Sequence, residues 1–204
     1  MDIPIIFSIA ILVMSVVIHE VAHGYAALSQ GDVTAKYAGR LTMNPIKHID
    51  PFGSIILPII FALLPGGIIL GWAKPVPYNP YNLRNRKWGE LIVAIAGPLS
   101  NIAIAILFGL LIRFSDLLNL PISVIQISYA IVFMNVILAV FNMIPVPPLD
   151  GSKVLFSILP TQYSLKFRAN LERYGFFLVL AIVFLAWQFI MPIVRILMKL
   201  FTGI

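Results

Sequence analysis

Apolar residues run almost unbroken over 3–17, 91–112, 124–144 and 176–194, and charged residues gather between these runs. Such runs approach or exceed the ~20 residues that a helix needs to cross a hydrocarbon core. The pattern predicts four full transmembrane helices, at about 3–28, 88–113, 122–144 and 174–199. A further apolar stretch, 52–64, spans only ~20 Å as a helix and runs into Pro65, Gly66 and Gly67. Both of its flanks are basic, so it crosses an even number of times or not at all. The segment 51–71 is therefore expected to form a re-entrant hairpin or a pair of short crossings, and its return arm, 67–72, can form a small membrane-associated β strand. Short interfacial helices are expected over 152–159 and over the amphipathic 163–173. The fold class is all-α polytopic membrane protein, with a single membrane-embedded domain over 1–204. Its core would lie in about 3–151, and 152–204 would supply the interfacial helices and the last span.

Composition narrows this. Of the 204 residues, 60% are hydrophobic and 11% charged, against roughly 45–50% and 25% in soluble domains, so a water-soluble fold is excluded. The first apolar run lacks a basic leader and a small-residue cleavage pattern, and is expected to be a retained helix. Lys36, Arg40, Lys47, Lys74, Arg84, Arg86 and Lys87 form one basic region, and Lys153, Lys166, Arg168 and Arg173 a second. Positive charge is retained on the cytoplasmic side, which places both regions there and the chain in the cell membrane as a multi-pass protein. The net charge of +6 is spread between hydrophobic segments and not gathered in an aromatic-laced patch, so nucleic acid is not an expected partner. There is no cysteine. Any metal must therefore be held by histidine and carboxylate.

Within the first apolar helix stands His19-Glu20-Val21-Ala22-His23, an H-E-x-x-H pattern. Residues four apart share a helix face, so both imidazoles can address one ion while Glu20 stands beside it as a general base. The pattern uses two of the three histidines in the chain. It also puts an ionisable group where charge costs several kcal/mol unless water or a partner compensates. The bland alternative is two interfacial histidines and a solvated glutamate. A catalytic zinc takes three protein ligands and leaves a fourth position open. The third could come from Asp50, Glu90, Asp116, Asp150 or His48. Asp116 falls on the opposite side, and Glu90 is explained by the start of its helix. Asp150 is favoured over a simple turn aspartate. Pro145-Val146-Pro147-Pro148-Leu149-Asp150-Gly151 ends the third span on the side where His19 and His23 lie, and the prolines and Gly151 can aim the carboxylate inward. His48 and Asp50 can support the ligands or form a lid, or can be an ordinary turn. Asn101, Asn135 and Asn142 read first as interhelical glue. Asn142 is the exception, close enough to Asp150 to donate a hydrogen bond to a developing oxyanion.

Taken together, His19-Glu20-Val21-Ala22-His23-Gly24, Gly97-Pro98-Leu99-Ser100-Asn101 and Asn142 through Pro148-Leu149-Asp150-Gly151, in that order, resemble the site-2 protease family of intramembrane zinc metalloproteases. The stretch Gly71-Trp72-Ala73-Lys74-Pro75-Val76-Pro77 looks like its compact bacterial branch, without PDZ or CBS domains. The resemblance implies that the first three spans form a catalytic core, that His19, His23 and Asp150 bind one Zn2+ per chain, and that Glu20 is catalytic. Its implied partners are a transmembrane protein or peptide substrate and the lipid bilayer, with the active site nearer the cytoplasmic face. A helical substrate must unwind before cleavage, and the proline- and glycine-rich stretch 67–81 is expected to offer it an edge for strand addition. The competing classes are a divalent-metal transporter and a non-catalytic scaffold for membrane segments. Ligands concentrated at one point, without internal repeats, speak against the first, and the complete His, Glu, His and Asp set against the second.

Overall fold

The computed structural model describes residues 4–56, 73–159, 171, 174–175, 178–179, 181 and 187–204. Its architecture is helical. α1 (Ile5–Ser29), the single turn α2 (Thr34–Tyr37), α3 (Arg86–Arg113), α4 (Ile122–Asn142), α5 (Asp150–Ile158) and α6 (Trp187–Thr202) follow one another along the chain. Three helices among the described residues are long and apolar enough to cross a membrane, Ile6–Ser29, Trp88–Arg113 and Ile122–Asn142. The chain is a multi-pass membrane protein. The fourth expected span, 174–199, is only partly described. Its described helix, α6, has 16 residues, or about 24 Å, short of a crossing by itself. Of the expected re-entrant segment, Pro51–Ile56 forms one wide helical turn; the rest of the segment and its return strand lie outside the described residues, as does all but Leu171 of the second interfacial helix. The first interfacial helix is α5, beginning two residues earlier than expected, at Asp150.

Helix ends follow local chemistry. The Asn85 side chain accepts the Trp88 N–H and starts α3. α1 closes on Gly31, at φ +99°, with the Asp32 N–H donating back to the Ala27 carbonyl. Where the helices pack, small side chains let backbones approach, as is usual inside membranes: Ala27, Ala94, Ala105 and Ala139 are all buried. One apolar cluster joins α3, α4 and α6 through Ala105, Ile112, Val132, Val136, Ile190, Val194 and Met198. A second joins α1 to the start of α3 through Ala27, Leu83 and Val93.

The register of these helices sets the depth of the site. α1 and α3 run antiparallel, with Ser15 opposite Asn101 and His23 opposite Val93. α4 runs with α1, Asn135 lying against Ser15. Counting 1.5 Å per residue from there, α4 stops about 10 Å short of the level where α1 ends. The chain that follows α4 thus starts inside the membrane layer, which lets Asp150 reach α1 with no long excursion. The turn is tight: a Cβ on Gly151 would collide with the Met143 carbonyl, so only glycine lets α5 begin against the end of α4. The sequence suggested that Gly151 serves a turn; its φ is not in the left-handed region, and close backbone approach is the actual reason.

Candidate metal centre and active site

Three donors converge. His19 Nε2 and His23 Nε2 lie 3.0 Å apart, and each lies 3.1 Å from Asp150 Oδ2. All three residues are buried. His19 sits ten residues before the end of α1, about 15 Å along the helix. Among the described residues this is the one group of three such side chains able to share an ion.

The outer nitrogens explain how the rings are held. His23 Nδ1–H donates to the Val93 carbonyl at 2.6 Å, in the stretch of α3 where Pro98 removes the N–H that would bond the Ala94 carbonyl. His19 Nδ1 meets Asn101 Oδ1 at 2.6 Å. Its proton follows from a chain of amides anchored on a backbone acceptor. Asn135 Nδ2 donates to the Ile131 carbonyl and to Ser15 Oγ, so its oxygen faces Asn101 and accepts from Asn101 Nδ2 at 2.8 Å. That turns Asn101 Oδ1 toward His19, whose Nδ1 must then be the donor. Both rings carry their proton on Nδ1, and both Nε2 lone pairs point at each other and at a carboxylate oxygen. Three acceptors at 3.0–3.1 Å repel unless a cation sits among them. Tetrahedral zinc, with bonds of about 2.0–2.2 Å, separates its ligand atoms by about 3.3–3.5 Å. The triangle here fits after an opening of a few tenths of an ångström. Two neutral imidazoles and one carboxylate are a donor set suited to zinc.

The backbone opposite is equally particular. A Cβ on Gly97 would fall 2.5 Å from His19 Nε2 and closer still to His23 Nε2. α3 thus presents bare backbone to the imidazoles, and only glycine fits. Asp150 is held from its other side by Lys153, whose Nζ donates to Oδ1 at 3.2 Å. Burial opposes the ionisation of Asp150, and the Lys153 ammonium beside Oδ1 favours it. Burial likewise disfavours the Lys153 charge, and the Asp150 carboxylate beside it more than compensates, raising that ammonium above its ordinary value. Oδ2 faces the imidazoles and Oδ1 the lysine.

Glu20 is half-buried beside this triangle, and its Oε2 accepts the Val76 N–H at 2.7 Å. His48 and Asp50 stand elsewhere: His48 Nε2–H donates to the Thr42 carbonyl, and Asp50 Oδ1 caps the 51–56 turn by accepting the Gly53 N–H. Asn142, half-buried at the end of α4, donates to the Leu138 carbonyl at 3.0 Å; among the described residues no hydrogen bond links it to the triangle. The amide bonded to His19 is that of Asn101, which the sequence reads first as interhelical glue. Lys153, Gly97 and the Val93 carbonyl were not singled out for the site at all. Gly97 and Asn101 do fall within the Gly97-Pro98-Leu99-Ser100-Asn101 motif, and the helical offset of four puts both on one face.

A helical membrane protein with two imidazoles, a carboxylate and a neighbouring glutamate converging within its spans has the makings of a membrane metallopeptidase. The comparisons agree. The model of peptidase family M50 matches residues 7–121 and 115–186, and the chain belongs to this family, that of the site-2 proteases. It is 36% identical over 205 aligned positions, 95% of this chain and 90% of the relative, to "Putative zinc metalloprotease YwhC" of Bacillus subtilis. It is 32% identical to "Putative zinc metalloprotease Rip2" of Mycolicibacterium smegmatis, over 87% of this chain and 66% of that one. With "Zinc metalloprotease MJ0392" of Methanocaldococcus jannaschii it shares 30% identity over 94% of its length and 46% of the archaeal protein's. No solved structure matches. The chain is a metalloprotease, a hydrolase of the site-2 type.

Proposed function

We propose that this protein hydrolyses peptide bonds within or near transmembrane segments of membrane-protein substrates, using one zinc ion per chain held by His19, His23 and Asp150. The observation that carries this reading is the triangle of three acceptor atoms, each 3.0–3.1 Å from the next, buried about 15 Å from the end of a membrane helix. Zinc bound there would supply Lewis-acid chemistry, lowering the pKa of a bound water toward about 7 and polarising a carbonyl. Glu20, adjacent to His19 in sequence, takes the proton of the attacking water and delivers it to the leaving amine. Asn101 and the Val93 carbonyl hold the imidazoles in the tautomer that leaves Nε2 free. Lys153 keeps Asp150 ionised and leaves it one oxygen for the metal. Asn142, turning from the Leu138 carbonyl, would donate to the developing oxyanion. The basic connecting segments on the side where α1 ends support an active site opening toward the cytoplasm.

The test compares wild type with Glu20→Gln in detergent, measuring zinc per chain and cleavage of a single-span reporter. The expected result is retained zinc with lost cleavage. Zinc-dependent flux in proteoliposomes without cleavage would replace the protease by a transporter.

A further inference from the structure

The segment 73–82 lies along the C-terminal half of α1, and most of its backbone N–H groups are engaged there. The Lys74 N–H donates to the His48 carbonyl at 2.9 Å, and the Lys74 carbonyl accepts from Arg40 Nη2 at 2.6 Å. The Val76 N–H goes to Glu20 Oε2 at 2.7 Å. The Asn79 N–H goes to Asp32 Oδ2 at 2.7 Å, and Asn82 Nδ2 reaches Asp32 Oδ1 at 2.9 Å. Residues 75, 77 and 80 are prolines without an N–H. This part of 67–81 forms no strand and has few donors left for an added one. Its two anchors are themselves buried, Arg40 at 7% exposure and Asp32 at 0%, and so is Val76, at 6%. A buried guanidinium and a buried carboxylate, each aimed at the backbone of one short segment, are costly unless that segment is held in place.

The product of this fixation is one N–H presented to one carboxylate. Glu20 has several rotatable bonds, and a general base must meet its water within hydrogen-bond reach. With Oε2 tied to the Val76 N–H, the carboxylate plane is fixed and Oε1 is left for proton transfer. We infer that the 73–82 segment is a positioning strap for Glu20, with the Val76 amide as its contact and Arg40 and Asp32 as its anchors. Prolines at 75 and 77 stiffen the strap on both sides of the single donor. The inference rests on Glu20 being the general base, as proposed above.

The experiment replaces the Val76 amide by an ester, through incorporation of the α-hydroxy analogue of valine, deleting the N–H and little else. Deleting a hydrogen bond to a charged group predicts that kcat falls about 10- to 100-fold, while KM, zinc per chain and melting temperature in detergent hold. Val76→Ala keeps the donor and should recover kcat to within a few fold. Arg40→Ala should show the same kcat-only loss and Arg40→Lys should restore it; this pair decides the matter if the ester protein does not fold. Wild-type kcat in the ester protein overturns the strap. So does a raised KM at constant kcat, which would make it a substrate contact, and so does lost zinc, which would make it a support for the metal helix. Undiminished cleavage by Glu20→Gln would instead remove the general base and the reading beneath.

Discussion

Gly97→Ala offers a sharp quantitative test of the site. In the interior of a helix, alanine is ordinarily better than glycine by about 0.8–1.0 kcal/mol, so on propensity alone the variant should be more stable. The structure reverses the sign. The new Cβ would lie 2.5 Å from His19 Nε2 and 2.6 Å from His19 Cε1, where ordinary contact begins at 3.4 Å; the ring must retreat by the difference, about 0.9 Å. It cannot swing freely, because Nδ1 is bonded to Asn101 Oδ1 at 2.6 Å, and His23, which the same methyl meets, is bonded to the Val93 carbonyl at 2.6 Å. Separating the helices is no easier, with Ala94 and Ala105 of α3 both at 0% exposure. Leaving those two buried groups unsatisfied costs about 1–3 kcal/mol each, more than the helix gains.

The consequences are measurable without substrate. Moving a ligand nitrogen by about 1 Å takes it out of bonding distance for an ion whose bonds tolerate about 0.2 Å, so zinc affinity should drop at least 100-fold, read by competition with a chromophoric chelator. A displacement of that size costs about 100-fold in turnover by itself, so reporter cleavage should be lost even at saturating zinc. The metal-free protein should melt below wild type. A Gly97→Ala protein with one tightly held zinc, normal turnover and a raised melting temperature would refute the packing of the imidazoles on bare α3 backbone.

Other outcomes follow from the same contacts. Asn101→Ala removes the acceptor that fixes the His19 tautomer, and zinc affinity should fall about 10- to 100-fold, measured by equilibrium competition. Asp150→Ala should lose zinc outright, and full zinc occupancy by elemental analysis would pass the third ligand role elsewhere. Asn142→Ala should keep its zinc and lose about 10²–10³ in kcat if its amide serves the oxyanion; an unchanged kcat removes it from the mechanism. Burial pushes the Asp32 carboxyl up, but hydrogen bonds from Thr34, Asn82 and the Asn79 N–H outweigh this and hold it below the usual range. Its folded value thus lies below the unfolded one of about 3.9, so its contribution is complete above about pH 4 and is lost as pH falls through the folded value. Melting temperature against pH should show that acid loss in wild type and less of it in Asp32→Asn.

What the sequence reveals about such a site depends on whether the information is local. His19 and His23 could be paired because one helical turn brings them together whatever surrounds them, and Asp150 because prolines and a glycine confine where its carboxylate can go. The helical hydrophobic pattern gave α1, α3 and α4 to within two residues at each end for the same reason. The hydrogen bonds that choose a tautomer are long-range: His19 and Asn101 are 82 residues apart, and Asn101 and Asn135 are 34 apart. Helical periodicity says which face an asparagine shares but not which helix it meets, so Asn142, near Asp150 in sequence, looked closer to the chemistry than Asn101, which is closer in space. Facing, not depth, decides this. By the Ser15–Asn135 register His19 is level with Ala139 and His23 with Met143, so Asn142 reaches the right depth but turns its amide back to the Leu138 carbonyl, while Asn101 meets His19 from α3 and Asn135, a turn further along the membrane, sets its orientation. An apolar run reports that a helix crosses; which of its polar side chains face the imidazoles is set by how that helix is rotated against its neighbours, and that rotation depends on side chains of both.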